Sequence, residues 1–132
     1  MFGFFKKKDS DKDAVNKAIR KEFDEIIVAA RTAPLSTQAR VGKGVTNALS
    51  DFDKVYTKEI FQNLPFPERK GFIETLAKKQ DSLRVQGGDV SVEHIGYSLV
   101  SKWVIAVAMG DNQLVKHFED HMVYFKRAAG TL

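Results

Sequence analysis

The chain contains no cysteine. That absence removes disulfide cross-links, zinc–thiolate centres and cysteine nucleophiles together, and it fits a reducing compartment. Histidine is scarce, at three residues, so few side chains are available as a base or metal ligand near neutral pH. No apolar run reaches the roughly 20 residues that a membrane-spanning helix needs. The longest, over residues 99–109, is interrupted by Lys102. A strong charge of one sign is missing as well. Twenty-one Lys and Arg stand against seventeen Asp and Glu, leaving +4 at pH 7. Such a mildly basic, mixed surface tolerates anionic partners but lacks the dense basic face of a nucleic-acid reader, so nucleic acid is an unlikely partner on composition alone.

What the chain does have is the material for one core. Its 132 residues suit a single domain. Its 43% hydrophobic content is typical of a folded chain and excludes a disordered one. Ten of its aromatics are Phe, which has no polar handle and is best read as core filling.

Hydrophobic spacing divides the chain into five helical segments. Over residues 11–33, Val15, Ala18, Ile19, Phe23, Ile26, Ile27 and Ala30 recur at helical intervals. Ser10, Asp11 and Asp13 supply helix-start chemistry, and Pro34 ends the segment. The second segment starts near Ser36 or Thr37 and extends to about Phe61. Val41, Val45, Ala48, Phe52 and Val55 form its stripe, widened by Leu49, Tyr56 and Ile60. Gly42 and Gly44 weaken its first turn by roughly 1 kcal/mol each relative to Ala, which predicts a late or loosened start.

Leu64-Pro65-Phe66-Pro67 is a rigid connector, with Pro67 placed to open a third helix that Gly87-Gly88 stops near Val85. Phe72, Ile73, Leu76, Ala77 and Leu83 are its expected inward residues. Residues 91–109 are apolar nearly all round in their second half, the pattern of a surrounded helix. A buried strand over Val104–Val107 is the alternative, but no partner strand is evident. Gly110-Asp111 reads as a stop followed by a cap. The last helix runs over residues 112–129, with Leu114, Val115, Phe118, Met122 and Phe125 inward.

The expected architecture is all-α: a compact bundle of about five helices with short connections. Residues 91–109 form the central buried helix, with the fifth and first packed around it. Residues 10–132 form one domain, and residues 1–9 a flexible or capping N-terminal segment.

Candidate chemistry is sparse. His117 and His121 stand four residues apart on one helix face, a metal-ligand spacing. The acid that a zincin motif requires is missing, since Phe118 follows the first His and Asp120 precedes the second. Glu93 and His94 are the nearest candidates for a third ligand. The expectation is a structural role for both His, with a metal-dependent protein as an alternative. Gly42-Lys43-Gly44 resembles a phosphate loop only superficially, since the upstream Gly, the following Ser or Thr and the preceding strand are missing. It reads instead as a loosened helix start whose Arg40 and Lys43 form a mobile contact surface.

The opening residues are the most unusual. Phe2, Phe4 and Phe5 precede Lys6, Lys7 and Lys8. Apolar residues before charges reverse the order of a secretory leader, and Gly at position 3 rather than 2 breaks the myristoylation pattern. Three rings beside three ammonium groups suit either a partner or capping contact or, as the lesser expectation, a reversible hold on an anionic membrane surface.

These readings converge on a non-enzymatic, cofactor-free helical binding protein of the cytoplasm. It acts through contact with another protein as an adaptor, secretion chaperone or immunity-type inhibitor. The expected contact residues are Phe2, Phe4, Phe5, Lys6, Lys7, Lys8 and Phe66. A peripheral membrane-surface or nucleic-acid binder using the basic N-terminus is the alternative. A homodimer is a further expectation, because the second and fourth segments carry more apolar surface than a small bundle readily buries.

Overall fold

The computed structural model describes residues 9–132, with side chains from residue 11 onward. These residues form six helices and no strand: α1 (Asp9–Arg31), α2 (Leu35–Asp53), α3 (Lys58–Gln62), α4 (Phe66–Arg84), α5 (Gly88–Met109) and α6 (Asn112–Ala129). No helix among them is long and apolar enough to cross a membrane. The all-α bundle is as expected, with one refinement. The segment expected to run to Phe61 breaks after Asp53, and a short α3 follows, opened by Thr57, whose hydroxyl accepts from the Ile60 amide at 3.2 Å. Val55 and Ile60, expected on the inward stripe, are exposed on either side of that break. Ala77 of α4 is exposed too, whereas Ile73 and Leu76 are buried.

The helix ends follow from local chemistry. Gly87 and Gly88 both hold positive φ, at 75° and 67°, a conformation that side chains with a Cβ resist. Gly110 closes α5 in the left-handed region, and Asp111 caps α6 by accepting from the Leu114 amide at 3.0 Å. The other oxygen of Asp111 accepts from Asn16 Nδ2 at 2.9 Å, tying α1 to the start of α6. At the α1–α2 corner the buried Gln38 amide donates to the carbonyls of Arg31 and Ala33, each at 3.0 Å. Arg31 ends α1 and Ala33 lies just beyond it, where carbonyls lack the amide partners of a continuing helix. Gln38 then accepts from Tyr124 Oη at 2.6 Å, so one side chain joins α1, α2 and α6.

The central position belongs to α5, which touches each of the other five helices. Leu99, Val100, Val104, Ala106 and Val107 are shut off from solvent, and Trp103 is nearly so. The residues expected as a surrounded helix are therefore surrounded, and the strand alternative is excluded. Phe52 of α2 meets Trp103 edge-on at 4.9 Å between ring centroids, Phe61 of α3 at 5.4 Å and Phe72 of α4 at 5.7 Å. Such edge-to-face pairs favour aromatic rings over a flat sandwich. On the opposite side, Phe23 of α1 stacks on Phe118 of α6 at 4.0 Å.

Three glycines determine how closely the central helices approach. A Cβ on Gly42 would collide with the backbone carbonyl of Phe125 in α6. One on Gly44 would collide with the carbonyl of Glu93 in α5. One on Gly96 would meet the backbone of Val41, Gly44 and Val45 in α2. Gly42 and Gly44 are thus not the loosened helix start or mobile surface expected from their propensity. Both are buried within an intact helix, and their propensity cost is offset by backbone-to-backbone packing. Arg40 beside them is paired with the buried Glu93 at 3.5 Å, so it is not a free contact residue.

One charged group intrudes on α5. Lys102 is half-buried and donates to Ser98 Oγ at 3.0 Å. Burial pushes its ammonium below the ordinary lysine range, against the opposing pull of Glu22. A lysine whose folded pKa is lowered sheds its proton earlier in the folded than in the unfolded chain. Its desolvation cost is therefore fully present below the folded pKa and is relieved as pH rises through it. Lys102→Met is expected to raise the melting temperature at pH 7, with the gain shrinking at alkaline pH; thermal melts across pH check this, and a lower melting temperature at pH 7 would contradict it. Gly44→Ala and Gly96→Ala are each expected to cost about 2 kcal/mol or more of stability. Gly71→Ala, in an exposed turn of α4 with open space at the Cβ position, is expected to add about 0.5–1 kcal/mol. Urea denaturation distinguishes the two classes, and equal effects at all three positions would contradict close packing.

Candidate functional site

Helix α6 presents two working flanks. Residues 119, 122, 123 and 126 face α2 and α3, while residues 117 and 121 face α1. The first flank closes a groove of about 630 Å³, within the range of sites that take a ligand or an anchoring side chain. Its floor is Phe52, Trp103 and Met122, all buried. Leu49 and Tyr56 form half-buried walls, and Asp53, Lys58, Glu119 and Lys126 make a rim of both signs. Val123 stands on the rim, 41% exposed, an apolar side chain left toward solvent.

Glu119 organises this groove. Its Oε2 accepts from the Trp103 indole Nε1 at 3.1 Å and from Lys58 Nζ at 3.1 Å. The indole N–H can only donate, so it needs such an acceptor when buried. One carboxylate thereby fixes the orientation of the floor ring and ties the start of α3 to α6.

The second flank brings His117 and His121 together with Asp24 of α1. The three ligand-capable atoms lie within 4.8 Å of one another. His117 Nε2 lies 2.7 Å from Asp24 Oδ1. A carboxylate only accepts, so that nitrogen carries the proton. Burial pushes the His121 imidazole below the ordinary histidine range, helped by His117 and Arg31 and opposed by Asp24 and Asp120. The expected third partners, Glu93 and His94, are elsewhere. Glu93 pairs with Arg40, and His94 Nδ1 bonds the Ser91 carbonyl of its own helix at 2.6 Å. Among the described residues the polar side-chain partner of His117 is Asp24, and no hydroxyl side chain bonds to either His.

A third polar cluster joins Asp51, Lys79 and Tyr97. Asp51 Oδ2 accepts from Lys79 Nζ at 2.8 Å and Tyr97 Oη at 3.2 Å. The bond to Asp51 holds Lys79 above its ordinary range, and burial raises Tyr97. Through Asp51 the cluster ties α2, α4 and α5 together.

Of the expected contact residues, Phe2, Phe4, Phe5, Lys6, Lys7 and Lys8 lie outside the described residues. Phe66 is the first residue of α4 and is half-buried rather than displayed. The groove was not foreseen, because its residues come from four helices. The one local signal was Val123, an apolar residue off the inward stripe of α6. The chain has no significant match to a protein-family model, a curated protein or a solved structure.

If Glu119 holds the indole, its loss leaves a buried donor unpaired. Glu119→Ala is expected to cost about 1–3 kcal/mol. Lys58→Ala, which removes only the half-exposed partner, is expected to cost under about 0.5 kcal/mol. Chemical denaturation monitored by the fluorescence of Trp103, the sole tryptophan, measures both; equal costs would refute the assignment.

Proposed function

We propose that this chain is a non-enzymatic, cytoplasmic binding protein of the adaptor, chaperone or inhibitor type, and that it receives a segment of another protein in the groove between α2, α3 and α6. The observation that carries the reading is the aromatic floor of Phe52 and Trp103 beneath a half-open rim with both charge signs. Protein interfaces concentrate their energy in such places, where an aromatic or aliphatic anchor fills a desolvated pocket ringed by polar groups. The floor is already oriented by Glu119, so little side-chain entropy is lost on binding. The apolar surface of Val123 matches an apolar anchor, while Asp53 and Lys126 supply contacts of either sign around it.

The exposed position of Val123 makes it a clean probe. Val123→Asp is expected to leave circular dichroism and melting temperature nearly unchanged and to weaken partner retention about tenfold or more. The test is parallel affinity capture with wild-type and variant chains from the native host, quantified by mass spectrometry. A partner held equally by both chains, with the variant folded, would overturn the groove as the contact site. Phe66→Ala should act the same way only if the start of α4 joins the contact; a loss of stability instead marks Phe66 as packing.

A further inference from the structure

We propose that Asp24, His117 and His121 form a binding site for one borderline divalent transition-metal ion, Zn²⁺ in the first instance, bridging α1 and α6. The site is independent of the groove, which lies on the other flank of α6. Three ligand atoms converge within 4.8 Å. The two imidazoles are carried one helical turn apart, with ring centroids 4.8 Å apart, and the carboxylate comes from a helix 93 residues away in sequence.

Small rotations of the side chains bring such atoms to the roughly 2.0–2.2 Å metal bonds of zinc sites. The setting favours those rotations. Phe23 packs against both imidazoles at 6.2 Å between centroids, holding each ring at the α1–α6 seam. His117 already points its Nε2 at Asp24, so the metal replaces a proton between two preplaced groups. Among the described residues His121 has ring contacts but no hydrogen bond, so its nitrogen has no partner to give up. Asp24 and His117 side chains are 43% and 22% exposed, which leaves an entry path and room for water to complete the coordination.

Two nitrogens and one carboxylate select Zn²⁺, Co²⁺ or Ni²⁺ over Ca²⁺ and Mg²⁺, which prefer all-oxygen cages. Arg20, 3.8 Å from the other oxygen of Asp24, and Arg31 nearby oppose a dication, so the affinity belongs to the moderate rather than the structural class. Bound metal would cross-link α1 to α6, and an ion that binds only the folded chain raises its stability by mass action.

The full chain, freed of metal with EDTA, is titrated with Zn²⁺ by calorimetry and melted with and without the ion. One Zn²⁺ per chain and a higher melting temperature are expected, with no such rise from Mg²⁺. His117→Ala, His121→Ala and the conservative Asp24→Asn should each weaken binding at least about tenfold while circular dichroism stays helical. His94→Ala, which removes the one other histidine, should change nothing. Co²⁺ should give the visible absorption of a low-coordinate nitrogen and oxygen site, lost in His121→Ala. Absence of 1:1 binding, binding retained in His121→Ala, or binding lost in His94→Ala would overturn the proposal.

Discussion

The contact on which the rest of this fold depends is made without side chains. Where α2 crosses α5 and α6, Gly42, Gly44 and Gly96 let backbone approach backbone. A glycine within a helix costs about 1 kcal/mol in propensity, and at these positions that cost buys proximity. With α2 and α6 drawn in, the second half of α5 is largely enclosed, and Leu99, Val100, Trp103, Val104 and Val107 are withdrawn from water. The aromatic cluster around Phe52 and the stack of Phe23 on Phe118 then fill the two sides of the enclosed helix. Protein interiors are packed closely enough that a single added methyl at such a crossing must displace main chain.

The same enclosure bears on where the two proposed sites lie. With the second half of α5 given over largely to core, the groove and the Asp24–His117–His121 cluster lie along the two flanks of α6. One flank, with α2 and α3, shapes a groove whose floor is set by the Glu119–Trp103 hydrogen bond. The other, with α1, gathers Asp24, His117 and His121. Because α6 is held through its buried stripe of Leu114, Phe118, Met122 and Phe125, both flanks are rigidly mounted, the condition under which a small number of side chains can bind usefully.

Much of this was legible in the residues. The stops at Pro34, Gly87-Gly88 and Gly110 and the cap at Asp111 are local effects, readable wherever backbone conformation is restricted by one or two residues. The surrounded helix was legible because an apolar run with no polar face has only one stable environment. Four features were not. Gly42 and Gly44 show their propensity cost in the sequence, but the carbonyls of Phe125 and Glu93 that justify the missing Cβ atoms come from distant helices. Likewise, the stripe of the second segment continues smoothly through Val55 and Ile60, so only the capping role of Thr57 marks the break before α3. The His117–His121 spacing was visible; the third group, Asp24, was not, since it requires the packing of α1 against α6. The groove was hidden for the same reason.

The most direct test of the central crossing is native-state hydrogen exchange, resolved by residue. If the glycine-mediated contact of α2 with α5 anchors the fold, the slowest-exchanging amides lie in residues 41–48 and 96–107, opening only with global unfolding. If those amides exchange through local opening while α1 or α4 holds the slowest ones, the fold is anchored elsewhere and this account of it is wrong.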